Sequence, residues 1–309
     1  ILALGTRFKE ADCSSWYNGY TFNVPPSKII HIDIEPSEIG RNYPTEIGAV
    51  ADLKNALKIL LERAKIKFSK IKDNSKKIKE IKSFKANFIK KNKKMAESKK
   101  FPMMPERILS DLRKAIPSDA IITTDVGWNK NGVGQQFDIL TPGSILTPGG
   151  FATMGFGPSA AIGAQLAEPK KVVISLVGDG GFGQNPSVLA TAAELKLPII
   201  WIIMNNNAFG TIAGLQKAHY GLTYGTTFPG SANSPKYGPE YSKIAQAYGI
   251  SGVKIKKADE FLKALRNAIK SNKPTLLDVP MINNPTPTTG HWNILDIYSP
   301  NKKVSHVST

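Results

Sequence analysis

Two nearly uninterrupted apolar segments constrain the fold of this chain more than any other feature. Residues Val172–Val177 and Ile199–Met204 are hydrophobic at nearly every position, so both faces of each strand are apolar. A helical pattern over residues 186–196 separates them. Strands of this kind are typical of a parallel sheet that helices cover on both faces. The same alternation of strand and helix extends over most of the chain. We therefore predict an α/β fold with a doubly wound parallel sheet.

The other segments follow this alternation. The predicted helices are residues 53–64, 105–115, 158–167, 186–196, 211–218, 240–248 and 258–271. The predicted strands are residues 1–4, 28–34, 47–50, 120–124, 171–177, 198–204, 252–255 and 275–280. Ile1–Leu4 has the pattern of a buried parallel strand and no methionine precedes it, so we expect the chain to begin inside a domain.

We predict four segments along the chain. They are the C-terminal part of an α/β domain (1–64), a lysine-rich linker helix (65–100), a second α/β domain (101–285) and an extended tail (286–309). A Gly/Pro-rich loop over residues 141–157 lies inside the second domain.

Most of the positive charge of the chain lies in the linker. The net charge is +17, and residues 65–100 contribute +12 of it through 15 lysines and three acidic residues. Apolar residues recur there at helical spacing, which predicts one amphipathic helix with a lysine-coated outer face. They are Ile71, Ile78, Ile81, Phe84 and Phe88. Lysine without arginine or interleaved exposed aromatic residues reads bases poorly, so we interpret this helix as a solvated linker.

Cysteine content and hydropathy indicate the compartment. The chain has one cysteine, Cys13, and it has neither a charged and apolar leader nor a run of 18 apolar residues. A single cysteine cannot form an internal disulfide, which is typical of proteins in a reducing compartment. We expect a soluble, cytoplasmic protein that does not enter a membrane.

A glycine-rich turn with an aspartate inside it follows the first apolar strand. Gly178, Gly180 and Gly183 match the G-x-G-x-x-G pattern of dinucleotide-binding loops. Such a loop requires uncharged backbone near the pyrophosphate and an acidic residue about 20 positions later. Here Asp179 lies inside the turn, and the next strand ends in Asn205–Asn207. Both departures are explained if a cation lies between Asp179 and the phosphates.

Asp179 and Asn206 are expected to meet at one edge of the sheet. The two apolar strands and the helix between them form a right-handed βαβ unit, so both strands end at the carboxyl edge. Mg²⁺ requires oxygen ligands and is usually completed by phosphate oxygens and water. The sequence therefore predicts a magnesium and diphosphate site. Gly180 and Gly181 would let main-chain amides approach the diphosphate, assisted by the N-terminus of the following helix.

Several motifs resemble those of thiamine-diphosphate-dependent enzymes. Gly178-Asp179-Gly180 followed by Asn205-Asn206 resembles the metal-binding signature of that family. The motifs that resemble its acetohydroxyacid synthase and pyruvate oxidase branch are Thr123–Gly127, Leu146–Gly157, Ala160–Ala164, Lys28–Glu38 and Asp52. The resemblance covers residues 1–64 and 101–285. It implies that these are the end of a central domain and the diphosphate-binding domain.

The resemblance implies thiamine diphosphate and Mg²⁺ as cofactors. Asp179 and Asn206 would bind Mg²⁺ through their side chains, and Ala208 would bind it through its carbonyl. Met154 would support the bent cofactor, and the carbonyl of Ala152 would contact the aminopyrimidine where the family has a glycine. The cofactor-binding residues implied in this way are Val126, Trp128, Asn129, Ala152, Met154, Gly178, Asp179, Gly180, Gly181, Asn206, Ala208 and Phe209.

The resemblance also implies a reaction, decarboxylation of a 2-oxo acid such as pyruvate with carboligation, as in acetolactate synthase. The chain departs from that branch at Gly210–Gln216, where the usual motif is Gly-Met-Val-x-Gln-Trp. Trp128 and Asn129 replace the usual Gln-His, which leaves their roles open. A 2-oxo acid decarboxylase or an acyloin or aldehyde lyase is therefore the alternative. FAD is doubtful, because the flavin-contacting Phe-Asp-Asp-Arg is replaced near Phe8–Ala11.

The catalytic glutamate of the family belongs to a separate pyrimidine-binding domain, and no segment of this chain resembles that domain. We therefore expect no catalytic residue in this chain and no activity of the chain alone. The full-length protein is expected to be a homodimer or homotetramer. Two interpretations from other classes stay open: a nicotinamide-dependent oxidoreductase, and a catalytically silent fragment or basic nucleic-acid-binding module.

Overall fold

The computed structural model describes residues 1–9, 13, 16, 19, 21–68, 73–228 and 238–283. These residues form two compact units, and the boundary between the units falls between Lys82 and Ser83. The predicted tail from residue 286 onwards and Ile71 of the predicted linker helix lie outside the described residues. Among the residues described, no helix is both long enough and apolar enough to cross a membrane.

The first unit is built on three parallel strands. Its elements are β1 (Leu2–Leu4), β2 (Ile30–Asp33), a short 3-10 helix (Pro36–Glu38), β3 (Ile47–Val50) and helix α1 (Leu53–Lys67), and the strand order is β1-β2-β3. Asp52 begins α1 by accepting a hydrogen bond from the N–H of Asn55 at 3.0 Å. Phe8, Phe22 and Tyr43 pack edge to face beside the sheet.

The strands of the first unit are less buried than the sequence predicts. The predicted strand at Ile1–Leu4 is present, and Ala3 is buried, but Leu2 is 54% exposed. Ile47 and Val50 of β3 are also exposed. The prediction of a strand buried on both faces is therefore wrong for the described residues. Burial on both faces requires elements packed on both sides of a sheet, and the described residues leave Leu2, Ile47 and Val50 exposed.

The lysine-rich segment contains a shorter helix than predicted, and the preceding helix, predicted for residues 53–64, extends into the segment. Helix α1 ends at Lys67, and helix α2 comprises Ser75–Ala96. Asp73 accepts hydrogen bonds from the N–H of Ser75 at 2.8 Å and from its hydroxyl at 2.9 Å. These bonds satisfy donors at the start of α2, so local capping interrupts the helix that the apolar periodicity predicts.

The second unit consists of a six-stranded sheet with helices on both faces. Its strands are β4 (Ile121–Thr124), β5 (Ile145–Leu146), β6 (Val173–Gly178), β7 (Ile200–Asn205), β8 (Ser251–Lys254) and β9 (Thr275–Pro280). Its helices are α3 (Pro105–Ala115), α4 (Trp128–Gln136), α5 (Phe156–Ala167), α6 (Asp179–Phe182), α7 (Val188–Glu194), α8 (Gly210–Tyr220), α9 (Tyr241–Ala247) and α10 (Ala258–Ser271). Neighbouring strands are parallel, in the order β5-β4-β6-β7-β9-β8.

Alternate residues of the central strands face two separate cores. In β6, Ile174 and Leu176 belong to one buried cluster, whereas Val173 and Val177 belong to the other. The first cluster contains side chains of α3, α4 and α10, and the second contains side chains of α5, α7 and α9. A sheet covered in this way requires strands that are apolar on both faces. This arrangement confirms the predicted doubly wound α/β fold.

The strand order reverses at β4, because β5 lies on one side of β4 and β6 lies on the other. The segment after β4 leads to α4 on one face of the sheet, and the segment after β6 leads to α7 on the opposite face. The two segments diverge at the carboxyl edge and leave a crevice between them. Open parallel sheets bind ligands at such a reversal, so we expect a ligand site at the ends of β4, β6 and β7.

Helix α4 and strand β5 are not predicted from the sequence. Helix α4 contains Gly132 and Gly134, which lower its intrinsic helix propensity. Val133 and Phe137 are nevertheless buried in the core that α3 and α10 also line. Tertiary packing of these two side chains therefore stabilises a helix that local sequence does not favour. The two-residue strand β5 falls inside the predicted loop, and it is too short to show a strand repeat.

Candidate functional site

A cavity opens at the carboxyl edge of the six-stranded sheet, at the ends of β4, β6 and β7 and beside the start of α8. Its lining residues are Val126, Gly127, Trp128, Asn129, Met154, Gly178, Asp179, Gly180, Gly181, Met204, Asn206, Ala208, Phe209, Gly210, Thr211, Ile212 and Met281. The structure thus brings together every residue predicted to bind the cofactor except Ala152. The lining residues that were not predicted are Gly127, Met204, Gly210, Thr211, Ile212 and Met281.

Asp179 is the only titratable residue among these lining residues, all of which the structure describes. It is 6% exposed, and the N–H groups of Gly180, Asn207 and Ala208 form hydrogen bonds to its carboxylate. Burial raises the pKa of Asp179 to about 6, although these hydrogen bonds favour the ionised form and act in the opposite direction. A buried carboxylate of this kind is strongly stabilised by a cation at short distance.

Three oxygen atoms converge beside Asp179. Asn206 Oδ1 lies 2.9 Å from Asp179 Oδ1 and 3.0 Å from the carbonyl oxygen of Ala208. All three atoms are acceptors, so no hydrogen bond joins them. The opposite orientation of the Asn206 amide would donate to both oxygens. With the three oxygens together, Asn206 Nδ2 donates to Asn283 Oδ1 at 3.2 Å, and a bound cation would satisfy the three acceptors.

The spacing of these oxygens fits an octahedral metal ion. Mg²⁺ binds oxygen at about 2.0–2.1 Å, so adjacent ligands of an octahedron lie about 2.8–3.0 Å apart. The two measured oxygen–oxygen distances agree with that value. The described residues contain no group of three or more His, Cys, Asp or Glu side chains that could hold a metal. The donor set here is instead a carboxylate, an amide and a main-chain carbonyl, which leaves positions for phosphate oxygens and water.

Gly180 and Gly181 keep one wall of the cavity close to the main chain. A Cβ atom at Gly180 would lie 2.7 Å from the ring of Phe209 and 3.3 Å from Met154 Cε. A Cβ atom at Gly181 would lie 2.7 Å from Asp125 Oδ1. Larger residues at either position would therefore displace the groups that form the wall. The glycine turn is itself a single helical turn, α6, which begins at the cavity, whereas α7, which corresponds to the predicted following helix, begins outside the lining residues.

Asp125 is a buried residue to which the sequence analysis assigns no role. It is 0% exposed, and its carboxylate accepts hydrogen bonds from the N–H groups of Gly155 at 3.0 Å and Gly157 at 2.8 Å. These bonds attach the turn that precedes α5 to the end of β4, and Met154 immediately precedes this turn. Asp125 therefore helps to orient Met154 toward the cavity. An aspartate directly after a buried strand was the available signal.

Trp128 and Asn129 form the start of α4. Asn129 Oδ1 accepts a hydrogen bond from the N–H of Asp125 at 2.8 Å, and Asn129 Nδ2 donates to the carbonyl of Val126 at 3.1 Å. Its amide is thus committed to the main chain of the turn after β4. The ring of Trp128 lies directly against Gly132, where a Cβ atom would not fit. Trp128 therefore depends on this glycine for its position beside the cavity.

Ala152 lies outside the cavity lining. Its φ is 54°, and its N–H donates to the carbonyl of Gly149 at 3.2 Å. A residue with a Cβ atom is strained at this φ, whereas glycine adopts it readily. The resemblance places a glycine at this position, and the backbone conformation gives a physical reason for that preference.

Two protein-family models match the chain. The model described as "Thiamine pyrophosphate enzyme, C-terminal TPP binding domain" matches residues 125–279. The model described as "Thiamine pyrophosphate enzyme, central domain" matches residues 1–60. Thiamine pyrophosphate and thiamine diphosphate are two names for one cofactor. The first match includes the glycine turn, the asparagine turn and the Met154 segment.

Curated relatives carry names from the same family. The chain is 36% identical over 285 residues to the probable acetolactate synthase large subunit of Methanocaldococcus jannaschii, with 90% of this chain and 46% of the relative covered. It is 31% identical over 279 residues to the acetolactate synthase large subunit of Corynebacterium glutamicum, with 90% and 43% covered. It is 30% identical over 290 residues to the putative thiamine pyrophosphate-containing protein YdaP of Bacillus subtilis, with 94% and 46% covered.

The chain therefore spans about half the length of the curated relatives that it matches. The C-terminal domain model alone covers half of the chain, and it includes every cavity-lining residue except Met281. The chain belongs to the thiamine pyrophosphate enzyme family, as a protein with that family's C-terminal TPP binding domain and a segment of its central domain.

Proposed function

We propose that the cavity binds the diphosphate end of thiamine diphosphate through Mg²⁺, as one part of a 2-oxo acid decarboxylase and carboligase similar to acetolactate synthase. The observation that carries this proposal is the cluster of three oxygens from Asp179, Asn206 and Ala208 at octahedral spacing. The donor types and their distances suit Mg²⁺. The adjoining Gly180 and Gly181 leave the main chain accessible to phosphate oxygens.

Each part of the cavity has a distinct role in this proposal. The three oxygen ligands hold the metal ion, which neutralises the diphosphate. Met154 and Phe209 supply an apolar wall close to Gly180, and this wall would exclude water from the reacting end of the cofactor. Asp125 holds the Met154 turn through main-chain hydrogen bonds. Bound thiamine diphosphate supplies an electron sink for decarboxylation, and the protein supplies binding and orientation.

The proposed substrate is pyruvate or another 2-oxo acid, and the support is the printed name acetolactate synthase for several relatives. The segment Gly210–Gln216 differs from the usual motif of acetolactate synthases. It lines part of the cavity, since Gly210, Thr211 and Ile212 are among the lining residues. A 2-oxo acid decarboxylase or an acyloin or aldehyde lyase is therefore the second candidate. We do not propose FAD as a cofactor. Glu10 and Ala11, in the segment that replaces the flavin-contacting motif, lie outside the described residues.

We propose that the proton-transferring glutamate comes from outside these 309 residues. The lining residues offer one carboxylate, Asp179, and its oxygen belongs to the metal cluster. The functional enzyme would then be a homodimer or homotetramer of a longer protein, with the cofactor bound between two domains.

Calorimetric titration of the chain with thiamine diphosphate tests the proposal directly. We expect binding with Mg²⁺ present and its loss when EDTA removes the metal, because the diphosphate has no cationic side chain in the cavity lining to replace the ion. NAD⁺ is the control ligand and is expected not to bind. Equal affinity for thiamine diphosphate with Mg²⁺ and with EDTA would contradict the metal site, and binding of NAD⁺ would favour the oxidoreductase interpretation.

Replacement of Met154 by alanine should affect the reacting end of the cofactor more than its anchor. In the active enzyme we expect the exchange of the thiazolium C2 proton, measured by NMR, to slow by about tenfold or more, equivalent to about 1.4 kcal/mol. The affinity for thiamine diphosphate should change by less than about threefold, since the metal ligands remain. Met104→Ala, a change at the N-terminal boundary of α3, is the control. An unaltered exchange rate would show that Met154 only packs.

Removal of charge from α2 should leave turnover intact. Lys76, Lys77, Lys90 and Lys91 are exposed on α2 and do not line the cavity. In the active enzyme their replacement by glutamine is expected to change kcat/KM by less than about twofold, because solvated charges are screened by salt. The same four positions changed to arginine keep the charge and serve as the control. A loss of more than about tenfold, with steep salt-dependent DNA binding by the parent chain, would support the nucleic-acid interpretation.

A further inference from the structure

The main chain around Ala208 has a backbone arrangement that leaves its carbonyl free for a metal. Ala208 pairs with Thr227 in an isolated antiparallel bridge. The two hydrogen bonds of this bridge come from the residues on either side of Ala208. Phe209 N–H donates to the carbonyl of Thr226 at 2.9 Å, and Phe228 N–H donates to the carbonyl of Asn207 at 2.9 Å.

In such a non-hydrogen-bonded pair, the N–H and C=O groups of the central residue point away from the partner strand. The N–H of Ala208 accordingly forms a hydrogen bond to the Asp179 carboxylate, and its carbonyl oxygen lies 3.0 Å from Asn206 Oδ1. The segment around Thr227 therefore fixes two elements of the oxygen cluster at once. Asn205 Oδ1 supports the same turn from the other side by accepting the N–H of Asn207 at 3.3 Å.

One side chain holds the bridging segment in place. Gln216 lies on α8, and its Oε1 accepts hydrogen bonds from the N–H of Tyr224 at 3.1 Å and from the hydroxyl of Thr226 at 2.6 Å. Its Nε2 donates to the carbonyl of Tyr224 at 3.2 Å. Both the oxygen and the nitrogen of the carboxamide thus form hydrogen bonds to a segment that lacks regular secondary structure. No other described side chain forms as many of the hydrogen bonds given for Tyr224 and Thr226.

We propose that Gln216 is a positioning residue for the metal site, which acts through the segment Tyr224–Phe228 to direct the Ala208 carbonyl into the oxygen cluster. This inference rests on the proposed metal site and goes beyond it, since Gln216 does not line the cavity. Without its three hydrogen bonds, the bridging segment has more accessible conformations, so ordering Ala208 for the metal costs conformational free energy. Mutation of residues that hold metal ligands in place commonly changes metal affinity by about 10- to 100-fold.

The test compares Mn²⁺ affinity of the parent chain with that of Gln216→Met at saturating thiamine diphosphate, using electron paramagnetic resonance. Methionine fills a similar volume and removes all three hydrogen bonds. We expect the Kd for Mn²⁺ to rise about tenfold and the spectrum of bound Mn²⁺ to change, because one ligand is less well placed. A merely structural role would lower the thermal unfolding midpoint without metal but would not alter the spectrum of the bound ion.

Three further variants make the result specific. Thr226→Val removes only the bond to the Thr226 hydroxyl, and we expect a rise of about threefold in the Kd. The double variant should be no weaker than Gln216→Met alone, because both changes act through one contact. Gln246→Met is the matched control, since Gln246 Nε2 also donates to a main-chain carbonyl, that of Gly252 at 3.0 Å, but on α9.

The outcomes separate this inference from the proposed function. Failure of the parent chain to bind Mn²⁺ in the presence of thiamine diphosphate would overturn both. Normal binding by the parent chain with a Kd within twofold for Gln216→Met would overturn the positioning role alone. If Gln216→Met does not fold, Thr226→Val decides the question, and an unchanged Kd for that variant would reject the inference.

Discussion

Replacement of Asp179 by alanine is expected to abolish Mg²⁺-dependent binding of thiamine diphosphate. The carboxylate is the only anionic ligand in the oxygen cluster, and it is buried where no other described lining residue carries a charge. Its loss removes one metal ligand and also the acceptor of the N–H groups of Gly180 and Ala208. We expect the affinity measured by calorimetry to fall by at least about 100-fold, which corresponds to about 2.8 kcal/mol.

Two variants separate loss of the metal from loss of structure. Asp179→Asn keeps an oxygen but no charge, so its affinity should lie between those of the parent and the alanine variant. Asp119→Ala removes an exposed carboxylate from the turn before β4 and should bind normally. Unchanged affinity of Asp179→Ala, with its far-ultraviolet circular dichroism intact, would remove Asp179 from the site.

The 309-residue chain by itself is expected to release no carbon dioxide from pyruvate, even when it is folded and saturated with Mg²⁺ and thiamine diphosphate. Proton transfer by a positioned acid or base is worth about 100- to 10,000-fold in rate, and the cavity lining offers no free carboxylate for it. Glu168 and Glu194 are exposed at the ends of α5 and α7. Both helices end at the amino edge of the sheet, opposite the cavity, because the next strand begins there.

A pyrimidine-binding domain of this family, supplied in trans, should restore turnover of pyruvate. The measurement is carbon dioxide release as a function of the concentration of the added domain, with the same domain lacking its glutamate as the control. Restoration by the glutamate-free control would show that the added domain acts only by stabilising the chain. Robust turnover by the purified 309-residue chain, with its mass verified, would refute the division of roles between the two parts.

The sequence was sufficient for the fold class and for the location of the oxygen ligands. Strands such as Val173–Gly178 are apolar on both faces, and only a sheet covered on both sides can bury such a strand. Parallel strands joined by a helix end at the same edge, so two polar turns 27 residues apart in the chain, at Asp179 and Asn206, were predictable neighbours. These inferences depend on repeat patterns and chain connectivity, which are local properties of the sequence.

Helix boundaries and supporting contacts required the tertiary structure. Helix α4 exists because Val133 and Phe137 are buried against distant helices. Its two glycines lower its helix propensity, so the local sequence does not predict it. Helix α2 starts inside the predicted linker helix, where Asp73 accepts hydrogen bonds from the N–H and the hydroxyl of Ser75. In both cases the deciding free energy comes from contacts that a periodicity does not record.

The roles of Asp125 and Gln216 illustrate the same limit at the site. Asp125 orients a turn 30 residues later through main-chain N–H groups, and Gln216 holds Tyr224 and Thr226 through a carboxamide that resembles any exposed helical glutamine in the sequence. The sequence by itself predicted that the side chains of Asp179 and Asn206 meet at one sheet edge, whereas the carbonyl of Ala208 was implied only by the resemblance to the family. Only the tertiary structure decided which side chains hold those donors about 3 Å apart, because that spacing depends on hydrogen bonds between segments that the chain alone does not bring together.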